Sequence, residues 1–337
     1  MDSVTQIALG AAVGEAFLGR KVGNKAILWG GIAGLIPDLD MIAYPLLDEV
    51  ERLSWHRGLS HSILFSVAFA PVLGWLIYKL KGRAANWKEW SILSFLALFT
   101  HIVLDMFTIY GTQIFRPFSS YKVAFNSIAI VDPLYTVPLI AGVLAALFIR
   151  RSLKKRKFVN LAGLTLSTAY LLLALVFKFQ VGGVVERSLA HQGIEYSRYM
   201  TGPTVLNSLL WRITVEDETG YWVGYYSLLD SSDNIELRHI PRNDSVLEPL
   251  SNDRAVRQLL WFSDGYYVMT IAGSMVLFHD LRFGELDVAG SDYGNYIFTW
   301  RLKIPETDGD VTIVRTSMSV ENAGELMTGL WNRVKGI

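Results

Sequence analysis

Apolar residues gather into long runs through the first half of the chain, at roughly 4 to 19, 26 to 47, 60 to 79, 90 to 111, 127 to 149 and 158 to 179. A helix needs about 20 mostly apolar residues to cross a bilayer. The pattern therefore predicts an α-helical integral membrane domain of about six transmembrane helices over residues 1–180. The first run is short and carries Glu15, so it is expected to be tilted, thinly spanning or half-inserted. Gly10 and Gly14, with Gly30 and Gly34 in the second run, are small-xxx-small pairs that let two helices pack closely.

From about residue 181 the period shortens to strand-like alternation punctuated by turn residues, as in TVLNSLLWRITVEDETGYWVGYYSLLD around a turn at Glu218 to Gly220. This predicts a soluble α+β domain over 181–337. Ser251, Asn252 and Asp253 offer caps for a short helix through Trp261, and Ser319 to Val334 reads as a closing helix. Strands are expected near 266 to 280, 293 to 304 and 311 to 316, where Tyr, Val, Phe and Ile concentrate.

Charge sets the orientation. Arg20, Lys21 and Lys25 follow the first run; Lys79, Lys81, Arg83 and Lys88 separate the third from the fourth; Arg150, Arg151, Lys154, Lys155, Arg156 and Lys157 separate the fifth from the sixth. All three clusters fall on one side, which the positive-inside rule makes cytoplasmic. The loops at 48 to 59 and 112 to 126, and everything after 180, then face outward, so the soluble domain is expected in the periplasm of a bacterial inner membrane. Trp75, Tyr78, Trp87 and Trp90 flank the second cluster as an interfacial belt does.

Composition agrees with a membrane protein: 51% of the 337 residues are apolar and 18% charged, and mean hydropathy is positive. Formal net charge is zero, with no polybasic face, so no nucleic-acid partner is expected, and membrane lipids are the expected surroundings. Cysteine is absent, which excludes thiolate metal sites and leaves imidazole, carboxylate, water or backbone as ligands. The N-terminus lacks the basic region of a cleavable signal, and the first segment is expected to be retained.

The stretch GLIPDLDMIAYPLLDEVERLSWHRGLSH, from Gly34 to His61, sets two aspartates and two histidines among apolar surroundings. Ionisable side chains at membrane depth are costly and tend to mark functional sites. On the orientation given by Lys and Arg, Asp38, Asp40, His56, His61, His101 and Asp105 reach one level in the outer leaflet, with His101 and Asp105 one helical turn apart on one face. They are the candidate ligands of a divalent metal, and Asp38, Asp40 and Arg57 are the candidate catalytic residues. Nitrogen and oxygen donors without sulfur suit Zn²⁺, with Mn²⁺ or Fe²⁺ as alternatives. Six candidates exceed the three protein ligands of a catalytic zinc, so one or two ions are expected, or some aspartates serve as base or support.

The chemistry this suggests is hydrolysis through a metal-activated water, with Arg57 and Arg116 available for an anionic phosphoester or lipid-linked substrate. The bland accounts are headgroup anchoring for the arginines and a Pro37 helix break for the PDLD stretch. Gln6, Arg116 and Asp132 are secondary candidates, with Thr108 and Asn126 nearby, and Glu15 is expected to be a paired or neutral buried carboxyl. His191, His239 and His279 show no ligand spacing and read as surface or structural residues. The alternatives to an enzyme are a metal-binding or transport protein, for which Glu15 would continue a polar path, and a regulatory membrane scaffold.

MDSVTQIALGAAVGEA, GLIPDLD, HRGLSHS at 56 to 62 and HIVLDMFTIYGTQIFRPFS at 101 to 119 resemble the LexA-binding, inner-membrane-associated family assigned as metal-dependent hydrolases. The resemblance ends near IVDPLYT at 130 to 136 and implies a bacterial inner-membrane hydrolase without naming a substrate. A more distant likeness is to zinc-dependent phospholipase C, whose His-x-x-x-Asp pattern is matched by His101 and Asp105, with His61 and Asp38 or Asp40 as counterparts. The further His and His-x-x-x-Glu ligands of that family have no match, and many members of the membrane family carry His where Gln6 stands.

Overall fold

The structure is a computed structural model that describes residues 1–80, 84–273, 275–285, 296–305, 309–316 and 323–336. The chain divides into two compact units, Met1–Pro45 with Trp55–Val176 and Val205–Asn207, and Leu46–Ser54 with Phe177–Thr204 and Ser208–Ile337. In chain order its helices are α1 (Ser3–Val22), α2 (Asn24–Leu35), α3 (Glu49–Trp55), α4 (Ile63–Leu80), α5 (Trp87–Met106), α6 (Pro133–Phe148), α7 (Lys154–Gln192), α8 (Arg254–Phe262) and α9 (Ala323–Val334).

In the first unit, α1 is central. It packs on α2, α5 and α6, and Asp2 caps its start by accepting from the Thr5 N–H. The α1 and α2 backbones touch through glycine: a Cβ on Gly30 would lie 2.3 Å from the Gly10 carbonyl oxygen, and one on Gly14 would lie 2.3 Å from that of Ala26. Any larger residue there would force the helices apart. After Leu35 the second apolar run tightens into a 3-10 segment, Ile36–Leu46. An Asn86–Glu89 capping box starts α5.

Four stretches among the described residues are long and apolar enough to cross a membrane: Asn24–Leu46, Ile63–Leu80, Trp87–Met106 and Lys154–Gln192. The expected count of six is not supported, for two reasons. The first run does form a 20-residue helix, but its buried face carries Thr5, Gln6 and Glu15, because it faces protein rather than lipid. The fifth run becomes helical only at Pro133, where Asp132 caps it, leaving 16 residues or about 24 Å of helix. That is short of the roughly 30 Å hydrocarbon core.

The basic ends of the helices do gather. Lys21 pairs with Glu89 at 2.7 Å, and Arg151 Nη1 donates to the Lys21 carbonyl at 2.9 Å. Arg156 reaches both oxygens of buried Glu15, at 2.6 and 2.5 Å, and also Asn24. Glu15 is therefore a paired structural carboxylate. Lys81 and Arg83 lie outside the described residues.

The second unit holds two four-stranded antiparallel sheets. The first is β1 (Arg198–Pro203), β2 (Leu210–Glu216), β3 (Gly220–Ser227) and β4 (Leu237–Pro241), with β2 and β3 joined at the expected Glu218–Gly220 turn. The second is β5 (Tyr267–Ala272), β6 (Met275–Asp280), β7 (Thr299–Lys303) and β8 (Thr312–Arg315). The stretch 266 to 280 is thus a hairpin of two strands. Residues 293–295 of the strand expected at 293 to 304, and 319–322 of the expected closing helix, lie outside the described residues. α7 runs past residue 181 to Gln192, and its Val181, Val184, Val185 and Leu189 pack on Trp211, Ile213 and Val215 of β2. Asp253 caps α8 through the Ala255 and Val256 N–H groups.

Of the three histidines outside the metal candidates, His191 is exposed and His239 pairs with Asp217 at 3.0 Å. His279 is buried between Thr299 and Thr270, with Tyr296 against its ring, and desolvation pushes its pKa down to about 4. The unfolded chain then binds more protons than the folded one between that value and the ordinary 6.5, so His279 costs stability as pH falls through this window and nothing above it. Chemical denaturation of the wild type and His279→Gln between pH 7.5 and about 4.5 should show the wild type losing on the order of 2 kcal/mol more. Parallel pH profiles would contradict the assignment.

Candidate metal centre

The cluster forms where three chain segments meet. Asp38 sits in the 3-10 segment after α2, His61 closes the turn Leu59–His61 just before α4, and His101 and Asp105 lie one turn apart at the end of α5. All four are buried, and one ligand atom from each falls within 4.8 Å of the others. The two imidazole Nε2 atoms face each other at 3.1 Å. His61 Nε2 lies 3.4 Å from Asp38 Oδ1 and 3.5 Å from Asp105 Oδ2, and the corresponding His101 distances are 3.6 and 3.7 Å.

The outer hydrogen bonds decide where the imidazole protons are. His101 Nδ1 lies 2.7 Å from the Gly34 carbonyl, which can only accept, so Nδ1 carries the hydrogen and Nε2 of the neutral ring is bare. Gly34 lies in the last turn of α2, where helix carbonyls have no intrahelical partner. Ser60 Oγ donates to Asp40 Oδ2 at 2.8 Å, and so must accept from His61 Nδ1 at 2.9 Å. In its neutral form His61 then also presents a bare Nε2. Among the described residues Asp105 Oδ2 has no hydrogen-bond partner, although Arg57 Nε stands 3.0 Å away outside hydrogen-bond geometry. Buried acceptors turned on one another without hydrogens repel, and each is costly unless something positive lies between them. Their spacings match the edge of about 3.3 Å expected of a tetrahedral Zn²⁺ set with bonds near 2.0–2.1 Å. The donor set thus fits a divalent cation.

The two carboxylates are held differently. Asp105 Oδ1 accepts from Gln6 Nε2 at 2.9 Å and from the Met1 amino group, while Arg57 stands beside Oδ2. Among the described residues, Asp38 has only the two imidazoles as polar neighbours within ion-pair reach.

Several sequence expectations are redistributed. Asp40 and His56 bond to each other, Oδ1 to Nδ1 at 3.0 Å, rather than turning a ligand atom inward; Asp40 instead orients His61 through Ser60. The chain turns sharply at Arg57, which has a left-handed φ of 57°. Its N–H donates to Asp40 Oδ2, its carbonyl accepts from Gln113 N, and its guanidinium donates to Thr108 Oγ1 at 2.6 Å and covers Tyr110. That guanidinium is committed to the site's own carboxylate rather than presented to a substrate. Gln6 Nε2 donates to Asp105 Oδ1. Asp132 caps α6 and accepts from Tyr170, and Arg116 Nε donates to Gln113, so neither belongs to the four-residue group. Asn126 has a left-handed φ of 47° and belongs to the loop before α6. Ser60 and the Gly34 carbonyl went unnoticed in the sequence; the Ser-His dipeptide at 60 and 61 is the one local signal for the former.

Apolar helices of spanning length that enclose a buried His/Asp group define a helical membrane protein with a metal-type site. Residues 1–181, more than half of the chain, match the family described as YdjM inner membrane protein, and the chain belongs to that family. It is also similar to the Bacillus subtilis (strain 168) protein described as uncharacterized protein YfhP, with 27% identity over 281 residues covering 79% of this chain and 81% of that protein. No solved structure matches.

If Ser60 sets the His61 tautomer, Ser60→Ala should weaken metal binding by about 10- to 100-fold without unfolding the helical unit. Competition titration against a zinc-sensitive chelating dye measures this; wild-type affinity in the variant would remove Ser60 from the site.

Proposed function

We propose that this chain is a membrane-bound metal-dependent hydrolase acting on a phosphoester or lipid-linked substrate at the outer leaflet. The observation that carries the reading is the buried group in which His61 and His101 Nε2, 3.1 Å apart, stand against Asp38 and Asp105. A donor set of two nitrogens and two oxygens suits Zn²⁺, with Mn²⁺ or Fe²⁺ as alternatives. The group is sized for one ion; Asp40 and His56, which a second would need, are bonded to each other.

A divalent cation bound there supplies Lewis-acid polarisation of the scissile group and a nucleophilic water at neutral pH. The chain's own residues divide the remaining work. Asp105 is a fixed anion whose charge Arg57 balances, and Asp40 with Ser60 holds His61 in the ligating tautomer. Asp38, whose polar neighbours within ion-pair reach among the described residues are the two imidazoles, is the carboxylate assigned here as general base rather than ligand. Arg116 is a cation available to an anionic substrate group. A transit path for the metal would need Glu15, which Arg156 holds in a buried pair. The resemblance to metal-dependent hydrolases supports the same reading.

The site lies at the helix ends opposite the basic ends, so the positive-inside rule turns it outward. α7 starts at the basic end and spans 39 residues, or about 58 Å, nearly twice the hydrocarbon thickness. Its far end therefore emerges outward, which favours an extracytoplasmic, periplasmic-side location for the residues after Gln192.

Two measurements test the reading. Purified wild-type protein should carry about one zinc per chain by mass spectrometry, as a single site with three protein ligands and an open position for water requires. It should hydrolyse bis(p-nitrophenyl) phosphate in a chelator-sensitive, zinc-restored manner, and His61→Ala and His101→Ala should lose the metal while keeping a cooperative thermal transition. Unchanged metal content in both variants, or a zinc-loaded protein without turnover, would sink it. For orientation, alkaline phosphatase fused after residue 337 should be active and a green fluorescent protein fusion dark; the reverse result would place the second unit in the cytoplasm.

A further inference from the structure

The segment between α5 and α6 turns large apolar side chains outward at the end of the helical unit that holds the cluster. Phe118 is 85% exposed, Tyr121 67%, Phe115 48% and Phe125 41%. The loop is built rather than slack. Thr112 and Val123 pair across its base, and its two sides are tied to candidate spans: Ile114 O accepts from Ile63 N at the start of α4, and Phe125 N donates to Met106 O at the end of α5. Arg116 and Lys122 stand between the aromatics.

Aromatic surface of this extent is unfavourable in water, at about 25 cal/mol per Å². The same rings interleaved with basic residues are favourable where hydrocarbon gives way to anionic headgroups. Because the loop is pinned to the ends of two helices of spanning length, a bilayer crossed by those helices would bring it to that level. It is also joined to the cluster, since Gln113 N donates to the carbonyl of Arg57, whose guanidinium meets Asp105.

We propose that the loop Thr112–Asn126 is an interfacial element whose aromatic crest sits in the headgroup layer, and that the site draws its substrate sideways from that layer. The substrate is then a bilayer-resident amphiphile of phospholipid type rather than a water-soluble phosphoester. The lateral-delivery half rests on the hydrolase reading; the insertion half does not.

Cysteine is absent from the chain, so single labels can be placed without background. Phe118→Cys and Tyr121→Cys, each carrying a nitroxide in phosphatidylethanolamine–phosphatidylglycerol proteoliposomes, should collide mainly with oxygen. A label at the exposed Asp233→Cys should collide mainly with a water-soluble nickel chelate. Nickel-dominated collision at both loop positions overturns insertion, whatever the metal content. For delivery, a Phe118→Ser/Tyr121→Ser variant should keep its zinc and its activity on bis(p-nitrophenyl) phosphate. Its turnover of a vesicle-borne fluorescent phosphatidylglycerol should fall by about tenfold, or roughly 1.4 kcal/mol. Equal effects on both substrates, or no activity on the vesicle-borne one in the wild type, overturn lateral delivery. Failure of the hydrolase reading shows separately, as a wild type that cleaves neither.

Discussion

Two imidazoles, each tied through Nδ1 to a neighbouring oxygen, turn Nε2 toward each other at 3.1 Å, and in their neutral forms a low-dielectric interior does not tolerate that arrangement unaided. Every neighbouring feature of the first unit serves to maintain it. The end of α2 leaves the Gly34 carbonyl to fix His101. Asp40 claims the Ser60 hydroxyl proton and so fixes His61. Arg57, in a backbone conformation unusual for a residue with a side chain, is held on both sides by Asp40 and Gln113 while its guanidinium offsets Asp105. Orientation of this kind lets a chain hold a cation with few charges to spare, because the ligands are arranged before the ion arrives.

The same constraint explains the unusual first helix. Gln6 must reach Asp105 and Glu15 must meet Arg156, so α1 carries polar side chains through the middle of the unit and is surrounded by other helices. Its glycines let α2 approach to backbone contact, which draws Gly34 and Asp38 toward α5. Close packing and the position of the ligands are thus one problem solved by one pair of helices.

Much of this was legible in the residues. The apolar runs marked helices, the lysines and arginines marked the end at which they gather, and Asp38, His61, His101 and Asp105 stood out as ionisable groups in apolar surroundings. The span count was not legible, because hydropathy measures what a residue is and not whether it faces lipid or protein, as α1 demonstrates. Nor was the difference between Asp38 and Asp40. Two positions apart in a regular strand or helix they point in different directions, but in a 3-10 segment ahead of a sharp turn only the coordinates show that Asp38 turns inward and Asp40 meets Ser60 and His56.

By itself, the sequence determined which chemistry was available: oxygen and nitrogen donors without sulfur, placed on apolar helices, in numbers that exceed what a lone structural role requires. Tertiary structure alone decided which donors share a centre and which protons they have given up. Ligand choice and tautomer depend on partners far apart in the chain, such as Gly34 for His101 and Gln6 for Asp105, and no local pattern encodes a hydrogen bond across 67 or 99 residues.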